Sequence, residues 1–261
     1  TFHAKTLYRS GETPGEDWGG QYLHPVAKNL ANHLRQVNKI VAAARWADEV
    51  AKGQVPDSAQ VMKNDLDLDG EDEIVMRNNK VFAVFENDGG RLEYAFAYDQ
   101  SIGPVQLVAP LWQFDLEWST HYEEGEMPTP GRNHETAFED IYWGPGGDYR
   151  YSIYTAQLDS GRLTFVSPDG KIRKTFRMEG NVIHAQYVLT DLGQITVGFG
   201  LPVNVTNMFS QRWWEKLAKV ISPQVAGWRV TDGGSALVST TGVQFNSAAS
   251  FTDSPAREEM R

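Results

Sequence analysis

Cysteine is absent from the chain, so disulfides and thiolate-held metals are both excluded. Basic residues are few: 24 Lys and Arg stand against 34 Asp and Glu, for a formal net charge of −10. Nucleic-acid binders need clustered positive charge to neutralise phosphates. The densest basic stretch here, Lys171-Ile172-Arg173-Lys174, is short and sits between turn residues. No apolar run approaches the roughly 18 residues that a membrane-crossing helix needs. Histidine is scarce, and His121 and His134, in the acidic stretch with Glu123, Glu124, Glu126 and Glu135, lack the close spacing of a zinc site. There is no Gly-x-Ser-x-Gly elbow, and Gly144-Pro145-Gly146-Gly147 lacks the Lys-Ser/Thr of a phosphate cradle. What remains is 261 residues with 41% apolar and 22% charged side chains, ordinary for a globular protein with a sizeable core.

The most informative segment present is Asn64-Asp65-Leu66-Asp67-Leu68-Asp69-Gly70-Glu71-Asp72-Glu73. Counting from Asp65, carboxylates occupy positions 1, 3, 5 and 9, with glycine at 6. Ca²⁺ takes about six to eight oxygens at 2.3–2.6 Å, and alternate residues of a tight loop can direct several inward. The spacing assigns the side chains of Asp65, Asp67, Asp69 and Glu73 as ligands, with the Glu71 carbonyl at position 7. An EF-hand would place a bidentate Glu at position 12, where this chain has Met76. Ile74-Val75-Met76 reads as a strand, so the expectation is a calcium loop opening onto β-structure. Carboxylates this close would otherwise repel one another without compensation.

Pro25 suits the first turn of a helix, and Leu30, Leu34, Val37, Val41 and Ala44 recur at helical spacing up to Lys52-Gly53. That row is expected to form an interface, partly on the rest of the chain and partly on a partner. After residue 64 the pattern changes to short strands. Lys80–Phe85 and Arg91–Tyr98 flank the turn Asn87-Asp88-Gly89-Gly90, the second strand alternating with period two. Tyr149–Gln157, Arg162–Val166, Ile172–Met178 and Val182–Leu189 follow with turns between them. Residues 115–148 read as a long excursion and Phe209–Val220 as a short helix. The fold expected is mainly β, a large antiparallel sandwich over residues 61–261, preceded by a helical segment over residues 1–60.

Several of these motifs resemble family 57 glycoside hydrolases. The run Asp65–Asn78, then Val81-Phe-Ala-Val-Phe85 and Gly89-Gly90-Arg91-Leu92, is similar to the start of that family's C-terminal sandwich. Gly11-Glu12-Thr13, Trp18, His24 and the helix reaching Ala42-Ala43-Ala44-Arg45-Trp46 resemble the end of its helical region. Lys174–Asn181, Val182–Leu189 and, more weakly, Glu135–Asp140 resemble further strands. The resemblance covers residues 10–190. It implies a sandwich of the sugar-enzyme supersandwich type, an α-glucan substrate class, and a catalytic barrel as the partner of this region. In that family the nucleophile and acid carboxylates belong to the barrel, so no residue here inherits either role. A chain starting at Thr1 is expected to be a piece of such an enzyme, inactive alone.

Flat sugar faces stack on aromatic rings, and Trp143 and Trp18, both beside glycines, are the candidate carbohydrate contacts. Two rival readings stand. One is an autonomous carbohydrate-binding or adhesion module. The other is a complete enzyme with a site on the sandwich face, using Asp140 or Glu139 near Trp143.

Overall fold

The computed structural model describes residues 25–68, 70–101, 103–108, 111–112, 134–135, 137–142, 144, 149–193, 195–199, 217–221, 225–230 and 235–239. Helix α1 (Pro25–Ala51) comes first. It stops where the sequence predicts. Gly53 takes φ 68°, its N–H bonds the Val50 carbonyl at 2.9 Å, and the Gln54 N–H bonds that of Glu49 at 2.9 Å. This pair of bonds closes the last turn around a left-handed glycine.

The strands are β1 (Gln60–Asn64), β2 (Glu73–Arg77), β3 (Val81–Glu86), β4 (Arg91–Asp99), β5 (Gly103–Val108), β6 (Leu111–Trp112), β7 (His134–Glu135) and β8 (Ala137–Ile141). They continue as β9 (Thr155–Asp159), β10 (Arg162–Val166), β11 (Ile172–Glu179), β12 (Val182–Leu189), β13 (Thr196–Phe199), β14 (Leu217–Ile221), β15 (Val225–Val230) and β16 (Ser235–Ser239). The larger sheet runs β1-β2-β3-β4-β8-β13, with β5 also on β4, and a second runs β12-β11-β10-β9. All of this pairing is antiparallel.

The two sheets pack face to face. Ile74, Met76, Ala83, Phe85 and Leu92 of the larger sheet meet Leu163, Phe165, Ile172 and Phe176 of the smaller. The protein is thus a mainly β antiparallel sandwich, as the turn spacing predicts. The larger sheet is also covered on its other face. There Val75, Phe82, Val84, Tyr94 and Phe96 meet Ala43, Trp46 and Ala47 of α1. Strands β2, β3 and most of β4 are therefore buried on both sides, which is why Val81–Phe85 is continuously apolar. Strand β11, with one face in water, alternates between buried and less buried positions.

Asn78, fully buried, ties the three layers together. Its side chain accepts the Lys80 and Val81 N–H groups, each at 2.8 Å, and donates to the Gly180 carbonyl of the β11–β12 turn at 2.8 Å. Its own carbonyl accepts the Trp46 indole N–H at 2.8 Å.

Four expectations need correction. The face of α1 that packs on the sheet is Lys39, Ala43, Trp46 and Ala47, whereas Val37, Val41 and Ala44 are exposed. Small alanines let the helix approach closely and Trp46 fills the remaining space, so Val37, Val41 and Ala44 of the more hydrophobic row are not the packed ones; the side chains of Leu30 and Leu34 lie outside the described residues. Secondly, residues 115–148 are more than an excursion, because β8 lies within the larger sheet between β4 and β13. Thirdly, Tyr149–Tyr151 forms a 3₁₀ turn, and the strand expected from residue 149 begins at Thr155. Lastly, Leu217–Ile221 is a strand paired with β15, not the end of a helix. Its β-branched Val220 and Ile221 suit that pairing.

Candidate functional site

The predicted calcium loop is the connection between β1 and β2. Asn64 pairs with Glu73, so residues 65–72 form the loop of a hairpin. Leu68 and Gly70 take φ values of 63° and 94°, the left-handed conformations that turn the chain back on itself. The Gly70 N–H bonds Asp65 Oδ2 at 3.1 Å, and the Leu66 N–H bonds Glu73 Oε2 at 2.6 Å. One oxygen each from Asp65, Asp67 and Glu73 lie within 4.8 Å of one another. Two oxygens that far apart can share one ion at the usual calcium distances. Of the other predicted ligands, Glu71 is exposed and Asp69 lies outside the described residues.

Asp67 is the most telling member. Its side chain is 10% exposed, and its Oδ1 is buried with no hydrogen-bond partner in the protein. A buried carboxylate oxygen without a donor costs free energy unless a cation or water reaches it. The donor set is all oxygen, which suits a hard cation such as Ca²⁺.

Sequence reasoning missed a cation already present. Lys39 Nζ projects from α1 and lies 2.6 Å from both Glu86 and Glu93, 3.2 Å from Glu73 and 3.4 Å from Asp67. Adjacent strands supply three of these carboxylates at one end of the larger sheet. Glu73 opens β2 and Glu86 closes β3. Glu93 reaches the helix side through a bulge in β4, where Val84 pairs with Tyr94 but Phe85 pairs with Leu92. The extra residue breaks the predicted period-two alternation and sends both Glu93 and Tyr94 to the helix face.

The electrostatics follow from one ammonium among several acids. Burial opposes the Lys39 charge, but Glu93 and Glu86 outweigh it and hold the amine protonated far above its usual range. Burial, with Glu93 beside it, pushes the Glu86 carboxyl up. Burial also raises Glu73, against the opposing pull of Lys39. For Glu93, burial is outweighed by Lys39 and its hydrogen bonds, and the acid is held below its usual range. The signal that pointed here was legible in part: Lys39 stands one helical turn before Ala43, and Glu73 and Glu86 share parity with Val75 and Val84.

A second ionic cluster lies between the sheets. Lys174 is fully buried, and its ammonium has three partners: Asp140 Oδ2 at 2.7 Å, the Gly89 carbonyl at 2.7 Å and the Phe138 carbonyl at 2.9 Å. The Tyr154 hydroxyl donates to the same Asp140 oxygen at 2.7 Å. Tyr154 and Tyr187 present their rings to the ammonium at 4.7 and 5.9 Å. The geometry demands glycine in the β3–β4 turn. A Cβ on Gly89 would meet the Arg150 carbonyl oxygen at 2.6 Å, and one on Gly90 the Tyr154 ring at 3.0 Å. Phe138 is held at φ 65°, an uncommon conformation for a bulky residue, with its carbonyl turned to Lys174. Burial pushes the Lys174 amine down to about 8, against the pull of Asp140.

Asp140 is therefore enclosed and engaged, and Glu139 is buried at 5% exposure. Neither presents a carboxylate to solvent as the reading of a site on the sandwich face requires. Trp143 and Trp18 lie outside the described residues. No helix among the described residues is long and apolar enough to cross a membrane. No family model, no curated protein and no solved structure matches the chain.

Proposed function

We propose that this chain is a non-catalytic, calcium-binding β-sandwich region of a glycoside hydrolase acting on α-glucans, and that it braces a catalytic barrel. The observation that carries the reading is the convergence of Asp65, Asp67 and Glu73 on the β1–β2 hairpin loop, with a buried Asp67 oxygen left unpaired. The same loop, running on into Asn78, is the core of the resemblance to family 57 enzymes. The outward side of α1 supports a bracing role: Val37, Ile40 and Val41 are exposed apolar residues outside the row docked on the sheet. Asp140, the catalytic candidate on the sandwich face, is committed to Lys174 and Tyr154.

In this reading Asp65, Asp67 and Glu73 hold the ion, joined by Asp69 and the Glu71 carbonyl. Calcium supplies a positive charge that joins both limbs of the hairpin. The test is thermal unfolding with and without Ca²⁺. A ligand that binds only the folded state adds RT ln(1 + [L]/Kd), about 2.7 kcal/mol at a hundredfold excess over Kd. The melting temperature should rise with CaCl₂, fall with chelator, and lose most of this response in Asp67→Asn. An unchanged melting temperature in chelator, with no metal found by elemental analysis, would sink the calcium assignment.

A separate assay addresses catalysis. The purified chain incubated with starch, maltooligosaccharides or aryl α-glucosides should release no reducing ends. Turnover that co-purifies with the protein and vanishes in Asp140→Asn, with the fold intact, would restore the complete-enzyme reading.

A further inference from the structure

The four carboxylates around Lys39 are not equivalent. Glu86 and Glu93 bond its ammonium directly at 2.6 Å, whereas Glu73 and Asp67 stand off at 3.2 and 3.4 Å. The outer two are also loop ligands, and Asp67 keeps one buried oxygen with no donor. So the helix holds its cation against the inner pair, and Asp67 and Glu73 approach the same ammonium at longer distances.

We infer that Lys39 is a built-in competitor for the loop cation, so that calcium binding and the docking of α1 on the sheet are coupled. The inference rests on the calcium reading above. An ion at coordination distance from Asp67 and Glu73 would sit within a few ångströms of Lys39 Nζ, and like charges that close repel strongly where water is excluded. Calcium therefore draws Asp67 and Glu73 away from Lys39 and leaves the helix held by Glu86, Glu93 and its apolar contacts. By reciprocity, a tightly docked Lys39 weakens calcium by the same factor. Lys39 is thus a positioning residue for the loop, not a ligand.

The experiment is calorimetric titration of CaCl₂ into the wild-type chain, Lys39→Gln and Lys39→Gln/Asp67→Asn. Lys39→Gln should bind Ca²⁺ at least tenfold more tightly than wild type, and Asp67→Asn should remove that gain. Equal dissociation constants in wild type and Lys39→Gln would overturn the competition while leaving the calcium site standing. No binding in either protein would overturn the site and the competition together. Should Lys39→Gln fail to fold, hydrogen exchange on the wild type decides. Amide protection across residues 39–50 should change at least tenfold on saturation with Ca²⁺, and unchanged protection would overturn the coupling.

Discussion

Lys174→Met should destabilise the protein by about 3–5 kcal/mol, the usual cost of leaving one half of a buried ion pair uncompensated. Asp140 would then be a fully buried carboxylate that keeps the Tyr154 hydroxyl as a donor but has lost its ammonium. The Gly89 and Phe138 carbonyls would lose the ammonium as well. Adding Asp140→Asn to the same protein should recover stability, by about 1–2 kcal/mol, because it removes the stranded charge and keeps an acceptor for Tyr154. Urea unfolding of the wild type, both single variants and the double variant gives the coupling directly. A double variant no more stable than Lys174→Met would show that the Lys174–Asp140 pair is not what holds this part of the core.

The same lysine sets a pH signature. In the folded protein burial brings the Lys174 amine down to about 8. In the unfolded chain it titrates near 10.4. Between these values the unfolded state binds the extra proton, so this group adds stability as pH rises from about 8 toward 10. Its destabilising contribution is present in full below about pH 8. Tyr154 and Tyr187 act in the opposite sense at higher pH. Burial, with Asp140 beside them, keeps both hydroxyls protonated in the folded state above the usual tyrosine range. Their contribution is lost once unfolded tyrosines ionise near 10. The difference in unfolding free energy between wild type and Lys174→Met should therefore grow from pH 8 to 10. Its slope is at most about 1.4 kcal/mol per pH unit. A flat difference across that window would show that Lys174 does not release its proton there.

Much of this fold was legible because it is written locally. Pro25 and Gly53 bound α1, Asn87-Asp88-Gly89-Gly90 makes the β3–β4 turn, and the alternating strands after residue 155 mark a sheet with one wet face. The acidic hairpin loop was legible too, since its spacing is contained in nine residues. Its neutralising partner was legible only in part. Lys39 sits on a helix far upstream, and only the packing of α1 across β2, β3 and β4 brings it to the loop. Repulsion among the acids is therefore relieved in part by a cation that the chain itself supplies. The Glu93 bulge was invisible, because its side-chain partner, Lys39, is tertiary. The α1 row misled at Val37, Val41 and Ala44 for a related reason. Ranking faces by hydrophobicity favours valines over alanines, whereas close packing of a helix on a sheet favours the small residue. The Lys174 cluster joins β8, β11 and two turns, and no local pattern announces it.

Trp46→Ala should also cost about 3–5 kcal/mol, the range for emptying a large aromatic site in a core. Trp46 is fully buried, with its ring 5.7 Å from Phe82 and 6.2 Å edge-on to Tyr98. Its indole N–H is the bond from α1 to the Asn78 carbonyl, and Asn78 in turn holds the β2–β3 and β11–β12 turns. Removing the side chain opens a cavity between helix and sheet and strands that carbonyl. Trp46→Phe separates the two effects. It keeps most of the ring volume and loses the donor, so it should cost about 1–3 kcal/mol. Hydrogen exchange on Trp46→Ala should show α1 amides opening before those of β2 and β3, since the sheet keeps its second covering on the other face. If Trp46→Ala costs under about 1 kcal/mol, the helix is not secured to the sheet through this residue. The ion pairs of Lys39 and of Glu49 with Arg77, and the contacts of Ala43 and Ala47, would then have to hold α1.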